Sequence, residues 1–375
     1  MLEMHGFKIG ALILSAGRSS RQSGFKPILP IGPMTVLEHC IRLFTESGIG
    51  AVQVVLGHRA EELLPIIEKT GAHPVINQEY DRGMFSSVQI GLAALPADIA
   101  GFFVLPVDIP LVRPITLEIL VDCFSRNPNT EAFLPGFAGR TGHPPLLREN
   151  LRRDIAAYDG GKGLRGVLER CGTTVVSVPD RHILEDMDTP EQYIKIVDFW
   201  QRRDIPTPDE AEILLLRECR DNEDNVRHSR SVAQVAKKLA EAVNESGAST
   251  IDTQLVVAAA LLHDIAKGQA DHCRAGASRL KALGFSDQLA EIVACHADYE
   301  PVPGTAVNET ELVYLADKLV LKTKTVRLDT RFQTKYDRLA GNEQARQSML
   351  RRWRQARMIS DRIEKSINCR MTSLL

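Results

Sequence analysis

Hydrophobic positions fall into two textures along the chain. Up to about Trp200, short apolar and β-rich runs recur at Lys8 to Leu14, Ala51 to Leu56, Pro74 to Ile76, Gly101 to Leu105, Glu131 to Leu134 and Thr173 to Val178. Most are continuous rather than alternating, the pattern of central strands covered on both faces. Between them, helical periodicity runs from Val36 to Glu46, Ala60 to Lys69, Phe85 to Leu95, Ile115 to Phe124 and Gly163 to Arg170. Alternating strands and helices imply parallel strands joined by crossovers, so this part is predicted to be a doubly wound, mostly parallel α/β sheet. After Trp200 the segment QRRDIPTPDEAE carries prolines and many charges, as a linker does. From Ile213 onward the periodicity is helical throughout and predicts no strand. The chain divides near Pro206, with an α/β domain expected over 1–203 and an all-α domain over 204–375. No internal repeat or low-complexity tract is visible.

Composition is consistent with two cores: 375 residues, 44% apolar and 25% charged. The formal net charge of −2 gives no reason to expect nucleic acid or another polyanion as a partner of the whole molecule. Locally the charge is uneven. From Lys322 to the C-terminus the chain is rich in arginine, with Arg351, Arg352, Arg354 and Arg357 clustered. A solvated helix face explains such a cluster; a phosphate-rich ligand or an interdomain contact is the alternative. The seven cysteines (Cys40, Cys123, Cys171, Cys219, Cys273, Cys295 and Cys369) are scattered and form no CxxC pair. That argues against a disulfide framework and a zinc finger, and for a reducing compartment. The opening apolar run is brief and enters a glycine loop rather than a signal cleavage site. No run approaches the ~20 apolar residues of a membrane span. A cytoplasmic protein without a membrane partner is expected.

Three segments of the first part sit where an open α/β sheet binds ligands, at the carboxyl ends of strands. LILSAGRSSRQSGFK leaves the first strand through a glycine, whose backbone can turn sharply toward a phosphate. Arg18, Arg21 and Lys26 supply the positive charge a triphosphate needs. LPVDIP puts Asp108 just past Gly101 to Leu105, between two prolines, where it can hold Mg²⁺ bound to substrate phosphates or simply cap a turn. EDMDTP follows the last strand, and Asp188 there is either a second carboxylate for the same metal or part of a helix start. Three such features at three strand ends are harder to dismiss than any one of them.

In order along the chain, LSAGRSSR-x4-K, NQEYDRGMFSSVQIGLAAL, LPVDIP, GHPP and DMDTPEQY resemble the motifs of the molybdenum cofactor cytidylyltransferase family over about residues 8 to 197. The resemblance implies a nucleotide-diphospho-sugar transferase-like fold. It also implies transfer of a cytidylyl group from CTP to the phosphate of molybdopterin, with pyrophosphate released. Carried over by position, Ala16 and Gly17 lie near the nucleotide, and Arg21 and Lys26 on its phosphates. Asp108 and Asp188 hold Mg²⁺, while Ser86, Ser87 and the Gly142-His143-Pro144 turn line the nucleotide or pterin side. Two departures stand out. Arg21 is followed by Gln22, Ser23 and Gly24 where the family commonly has Met-Gly, and GGKGLR stands where a glycine-aspartate element is frequent. The chemistry itself is coherent without the family: two anionic phosphates must be brought together, and a metal on two aspartates with a basic loop screens them. Sugar and isoprenoid nucleotidyltransferases share the loop logic, so the acceptor stays open.

The second part offers His228, the pair His263-Asp264, then His272, His296 and Asp317. Burying a histidine–aspartate pair at the end of the apolar run LVVAAALL costs several kcal/mol unless the groups are coordinated or hydrogen-bonded. Mixed imidazole and carboxylate ligands suit transition metals such as Mn or Fe. HDIAKG and YLADKL make the segment from about residue 224 to 325 resemble the HD phosphohydrolase superfamily. The resemblance implies His228, His263, Asp264 and Asp317 as the basic ligand set. His272 and His296 match the further histidines of its two-metal members, and the six ligands suit two ions, with Asp264 expected between them. Lys267 is expected on a substrate phosphate. ACHADYE lacks the threonine often found in the subfamily most like it, which leaves the substrate open. Together these readings describe a bifunctional enzyme. Its rivals are a regulatory HD module that binds nucleotide without hydrolysis, or a carrier handing molybdopterin dinucleotide to a molybdenum-dependent apo-enzyme.

Overall fold

The apolar run near the start of the chain becomes β1 (Ile9–Ser15), buried at every residue. The structure, a computed structural model, describes residues 6–19, 24–302 and 304–375. It divides into two units, Met1–Arg202 and Arg203–Leu375. In the first, β2 (Pro30–Ile31) and β3 (Met34–Thr35) form a small hairpin that leads into α1 (Val36–Glu46). Thr35 and Glu38 close a capping box there, satisfying two amide donors at the helix start. Then follow β4 (Ala51–Leu56), α2 (Ala60–Ile67), β5 (His73–Ile76), α3 (Met84–Ala94), β6 (Gly101–Pro106) and α4 (Pro114–Arg126). The unit finishes with β7 (Ala132–Phe137), β8 (Arg140–Thr141), β9 (Leu146–Arg148), α5 (Leu151–Ala157), α6 (Gly163–Leu168), β10 (Thr173–Ser177) and α7 (Pro190–Gln201).

The main sheet runs β10-β7-β9-β6-β1-β4-β5, with β8 beside β7. It is a mostly parallel sheet flanked by helices. The exception within its centre is β9, antiparallel to both β6 and β7. Three residues after two prolines are too few to carry a periodicity, and no strand is expected there from sequence. Helices sit close on the sheet. A Cβ on Gly91 of α3 would lie 2.5 Å from Val55 Cγ2, so only glycine lets that helix rest directly on β4.

The second unit is helical: α8 (Pro208–Glu218), α9 (Glu223–Ser246), α10 (Thr253–Leu262), α11 (His272–Ala282), α12 (Asp287–Cys295), α13 (Glu309–Leu319), α14 (Leu328–Arg338), α15 (Glu343–Ile367) and α16 (Met371–Leu374). Every residue of α10 from Leu255 to Leu262 is buried, as an all-round apolar helix requires. Two expectations need correction. The second half of the proposed linker is the start of α8, because Thr207 and Glu210 form a capping box with Pro208 in the first turn. The second unit is helical as expected, but it also holds a short antiparallel hairpin of β11 (Val320–Leu321) and β12 (Lys324–Thr325) where no strand was expected. Two-residue strands leave no pattern to detect. No helix among the described residues is long and apolar enough to cross a membrane.

Candidate active sites

Leu14 of β1 pairs with Val55 of β4 and with Pro106 of β6, so the segments leaving these strands emerge at one edge of the sheet. They border a cavity of about 280 Å³ whose wall includes Ala16, Gly17, Ser19, Lys26, Ser87 and Asp108. Among the described residues a Cβ on Gly17 would meet no atom within 4 Å, and its φ is not in the left-handed region. Neither packing nor the turn requires glycine there, and the bare backbone leaves room for a ligand to approach.

Lys26 is buried, and its ammonium lies 2.5 Å from Asp188 Oδ1 and 3.4 Å from Asp108 Oδ2. The two aspartates meet because the Met187 amide donates to the Asp108 carbonyl at 3.1 Å, tying the exit of β6 to the segment before α7. Thr189, not Asp188, caps α7, with Gln192 completing the box. Burial pushes the Asp108 carboxyl above its ordinary pKa, Lys26 opposing and Asp188 adding to the rise. Two converging carboxylates are a hard oxygen donor set, which fits Mg²⁺.

The remaining expected residues are spread more widely. Arg18 pairs with Asp81 at the surface, where solvent screens the attraction. Arg21 lies outside the described residues. Ser87 borders the cavity, whereas the Ser86 hydroxyl donates to the Gly83 carbonyl and accepts from Asn77. His143 is not part of the cavity wall. Its amide donates to the Ile183 carbonyl, and burial lowers its pKa. A Cβ on Gly142 would fall 2.2 Å from the Ile183 oxygen, which explains the glycine of that turn. Tyr80 and Met84 also border the cavity. Sequence reasoning passed over both, although they lie inside the quoted NQEYDRGMFSS stretch.

In the second unit all six expected ligands converge. His228 comes from α9, His263 and Asp264 follow α10, His272 opens α11, His296 follows α12 and Asp317 lies in α13. Asp264 is central: its Oδ2 is 3.4 Å from His263 Nε2, while its Oδ1 is 3.4 Å from His272 Nε2 and 3.5 Å from His296 Nε2. Asp317 Oδ1 lies 3.1 Å from His228 Nε2 and 3.9 Å from His263 Nε2. Three imidazoles are oriented from behind. Nδ1 of His228, His263 and His296 contacts the carbonyl oxygens of Lys322, Ala260 and Val293 at 2.8, 2.8 and 2.6 Å. A carbonyl only accepts, so each Nδ1 carries a proton and Nε2 faces the centre. His263 Nε2 is buried and has no hydrogen-bond partner among the described residues. That orphaned atom fits a metal ligand and is costly otherwise.

Electrostatics agree. Burial alone would raise Asp264, but the neighbouring His263 and His296 imidazoles and the Lys267 ammonium hold it far below the usual carboxylate range. Asp317 is likewise held low against burial by Lys318 and His228. Lys267 bonds Asp264. Cys273 escaped the sequence reading: its Sγ is 3.5 Å from His272 Nε2 and 3.9 Å from His296 Nε2, making a group that could hold an ion. Its position directly after His272 was the available signal.

Comparison with known proteins gives each half a family. Residues 11–175 match the MobA-like NTP transferase domain and residues 225–321 match the HD domain. The chain is 26% identical over 187 residues to molybdenum cofactor cytidylyltransferase of Escherichia coli K12, covering 50% of this chain and 94% of that protein. It is 33% identical over 176 residues to bifunctional protein GlmU of Alkalilimnicola ehrlichii, covering 46% of this chain but 37% of that protein. Rv0371c from Mycobacterium tuberculosis H37Rv is similar in structure, with 25% identity, a TM-score of 0.46, and coverage of 51% of this chain and 98% of that one. The chain thus joins a MobA-like NTP transferase domain to an HD domain.

Proposed function

We propose that residues 1–203 transfer a cytidylyl group from CTP to the phosphate of molybdopterin, releasing pyrophosphate, and that residues 204–375 hydrolyse a phosphate bond. For the transferase, the convergence of Asp108 and Asp188 on Lys26 beside the bare backbone of Gly17 carries the reading. Mg²⁺ held by the two carboxylates would neutralise charge on the approaching phosphates. Lys26, then displaced from the carboxylates, is free for a phosphate oxygen, and Ala16 and Gly17 allow the nucleotide to come close. No side-chain nucleophile is needed: the acceptor phosphate attacks the α-phosphorus, and positioning does the rest. Cytidine is favoured because Ala16 stands where the guanylyl branch usually has glycine, so CTP should compete better than GTP. The GlmU relative keeps a second acceptor class, another small-molecule phosphate, in view.

For the hydrolase, the convergence of carbonyl-anchored imidazoles on Asp264 and Asp317 carries the reading. His228, His263, Asp264 and Asp317 would hold one transition-metal ion such as Mn or Fe, and Asp264, His272 and His296 a second. Such a pair supplies an activated water and stabilises the leaving oxygen. Lys267 is positioned to pass from Asp264 to a substrate phosphate. Nucleotide turnover by the purified protein, with and without molybdopterin, tests both halves when pyrophosphate and nucleotide products are tracked separately. Absence of molybdopterin-dependent pyrophosphate release would overturn the acceptor assignment.

A further inference from the structure

The arginine-rich C-terminal segment lies beyond the matched HD region, which ends at residue 321. The structure divides its charges. Arg351 pairs with Asp298, and Arg357 with Asp329. Arg352 joins neither. It borders a cleft of about 520 Å³ that also contains His228, Asp264 and His296. From α14, Arg331 and Lys335 border the same cleft. Arg331 is already committed, its guanidinium 3.8 Å from Asp317 Oδ1. Among the described residues, no carboxylate oxygen lies within 4.0 Å of the charged groups of Lys335 or Arg352, and Arg352 Nε is buried without a hydrogen-bond partner. Desolvation, with the charges of Arg331 and Lys318 close by, holds the Lys335 ammonium below its ordinary pKa. Asp317 offsets part of this positive charge, and with Lys335 exposed and Arg352 half-buried an anion entering the cleft can reach both cations and is attracted by them.

We infer that this cleft takes a substrate with two linked phosphoryl groups, one at the histidine–aspartate cluster and the other on Lys335 and Arg352. The inference rests on the hydrolase reading above. A phosphate monoester satisfies the cluster and leaves Lys335 and Arg352 uncompensated; a diphosphate answers both. Water oxygen bonds to the phosphorus at the cluster, the bond to the bridging oxygen breaks, and that oxygen leaves with the electron pair on the second phosphate. One proton of the water stays on the newly formed phosphate, and the other passes to the leaving phosphate or to solvent. Lys335 and Arg352 hold the leaving phosphate as its charge grows. Inorganic pyrophosphate and a nucleoside diphosphate share this chemistry.

The full chain loaded with Mn²⁺ provides the test. The kcat/KM values are measured for p-nitrophenyl phosphate, inorganic pyrophosphate and CDP in the wild type, Lys335→Gln and Arg352→Gln. Lys335→Gln removes charge without breaking any side-chain hydrogen bond of the described structure, and Arg352→Gln is an independent second variant. The ratio of diphosphate to monoester kcat/KM should fall at least tenfold in each; an unchanged ratio in both overturns the inference. A preference for pyrophosphate or for CDP within the wild type names the source of the diphosphate. Binding of methylenediphosphonate by calorimetry separates the two readings. It should bind at least tenfold more tightly than methylphosphonate, and Lys335→Gln should erase the difference. If nothing is hydrolysed yet this pattern holds, the hydrolase reading fails and the subsite stands. Hydrolysis with unchanged ratio and binding leaves the hydrolase reading and removes the subsite.

Discussion

Replacing Lys26 by methionine removes the positive charge that contacts both Asp108 and Asp188 while keeping a stem of similar length. Side-chain exposures of 10% for Lys26, 22% for Asp108 and 25% for Asp188 put the trio in a largely dry pocket. At an effective dielectric of about 20, opposite charges about 3 Å apart attract by roughly 5 kcal/mol before desolvation is subtracted. Removing one partner of a buried pair costs about 3–5 kcal/mol. Partial exposure of the aspartates reduces the expected loss to about 2–3 kcal/mol by the same reasoning. Urea unfolding of the full chain in EDTA measures it, followed through the transition of the N-terminal unit. The sign with pH is also set. Burial holds Asp108 above its ordinary pKa, so its contribution is complete at low pH and is lost as pH rises through the raised value. Mg²⁺ should then rescue the variant. At about 100 times its dissociation constant an ion bound only by the folded state adds roughly 2.7 kcal/mol. The variant should gain more than the wild type, in which Lys26 must first be displaced. A loss under about 0.5 kcal/mol in EDTA, within the ordinary range for surface substitutions, or equal Mg²⁺ stabilisation of both proteins, would refute the reasoning.

Asp108→Ala and Asp188→Ala should each abolish Mg²⁺-dependent pyrophosphate release; if Asp188→Ala only lowers the melting temperature, its part is structural. The double change His263→Ala with Asp264→Ala should take metal analysis from close to two ions per chain to none while transferase activity survives; retained metal would show the cluster assigned wrongly. Cys273→Ser should remove a near-ultraviolet sulfur-to-metal band from the Co²⁺-loaded protein, whereas an identical spectrum would make the thiol a bystander. Glu38 sits below its ordinary value of 4.5 through the hydrogen bond from the Thr35 amide. Its stabilisation is therefore present above about pH 4.5 and lost as pH falls through the depressed value. Glu38→Gln should flatten that part of the acid limb, by about 1 kcal/mol or less; an unchanged acid profile would count against the capping box.

Continuous apolar runs were enough to locate β1, β4 and β6, because a strand covered on both faces has no polar alternation to blur it. The helix α1 was legible to its ends for a related reason, since its amphipathic period and its capping box agree. The histidines and aspartates of the second half could be picked out as a set because their residue types are rare inside apolar helices. What the chain could not announce was contact. The three-residue β9 exists only because β6 and β7 flank it. Lys26 was expected on phosphates, and only the approach of Met187 to Asp108 brings its ammonium between two carboxylates. Cys273 reads as one of seven scattered thiols until α11 and α12 pack side by side and set it against two imidazoles. Arg351 and Arg352 are indistinguishable as letters. A turn of roughly 100° per helical residue sends the first to Asp298 and the second into the cleft, and that depends on which face of α15 the neighbouring helices cover. Periodicity is a local property and survives in the sequence, whereas convergence of groups from distant segments is fixed by packing alone.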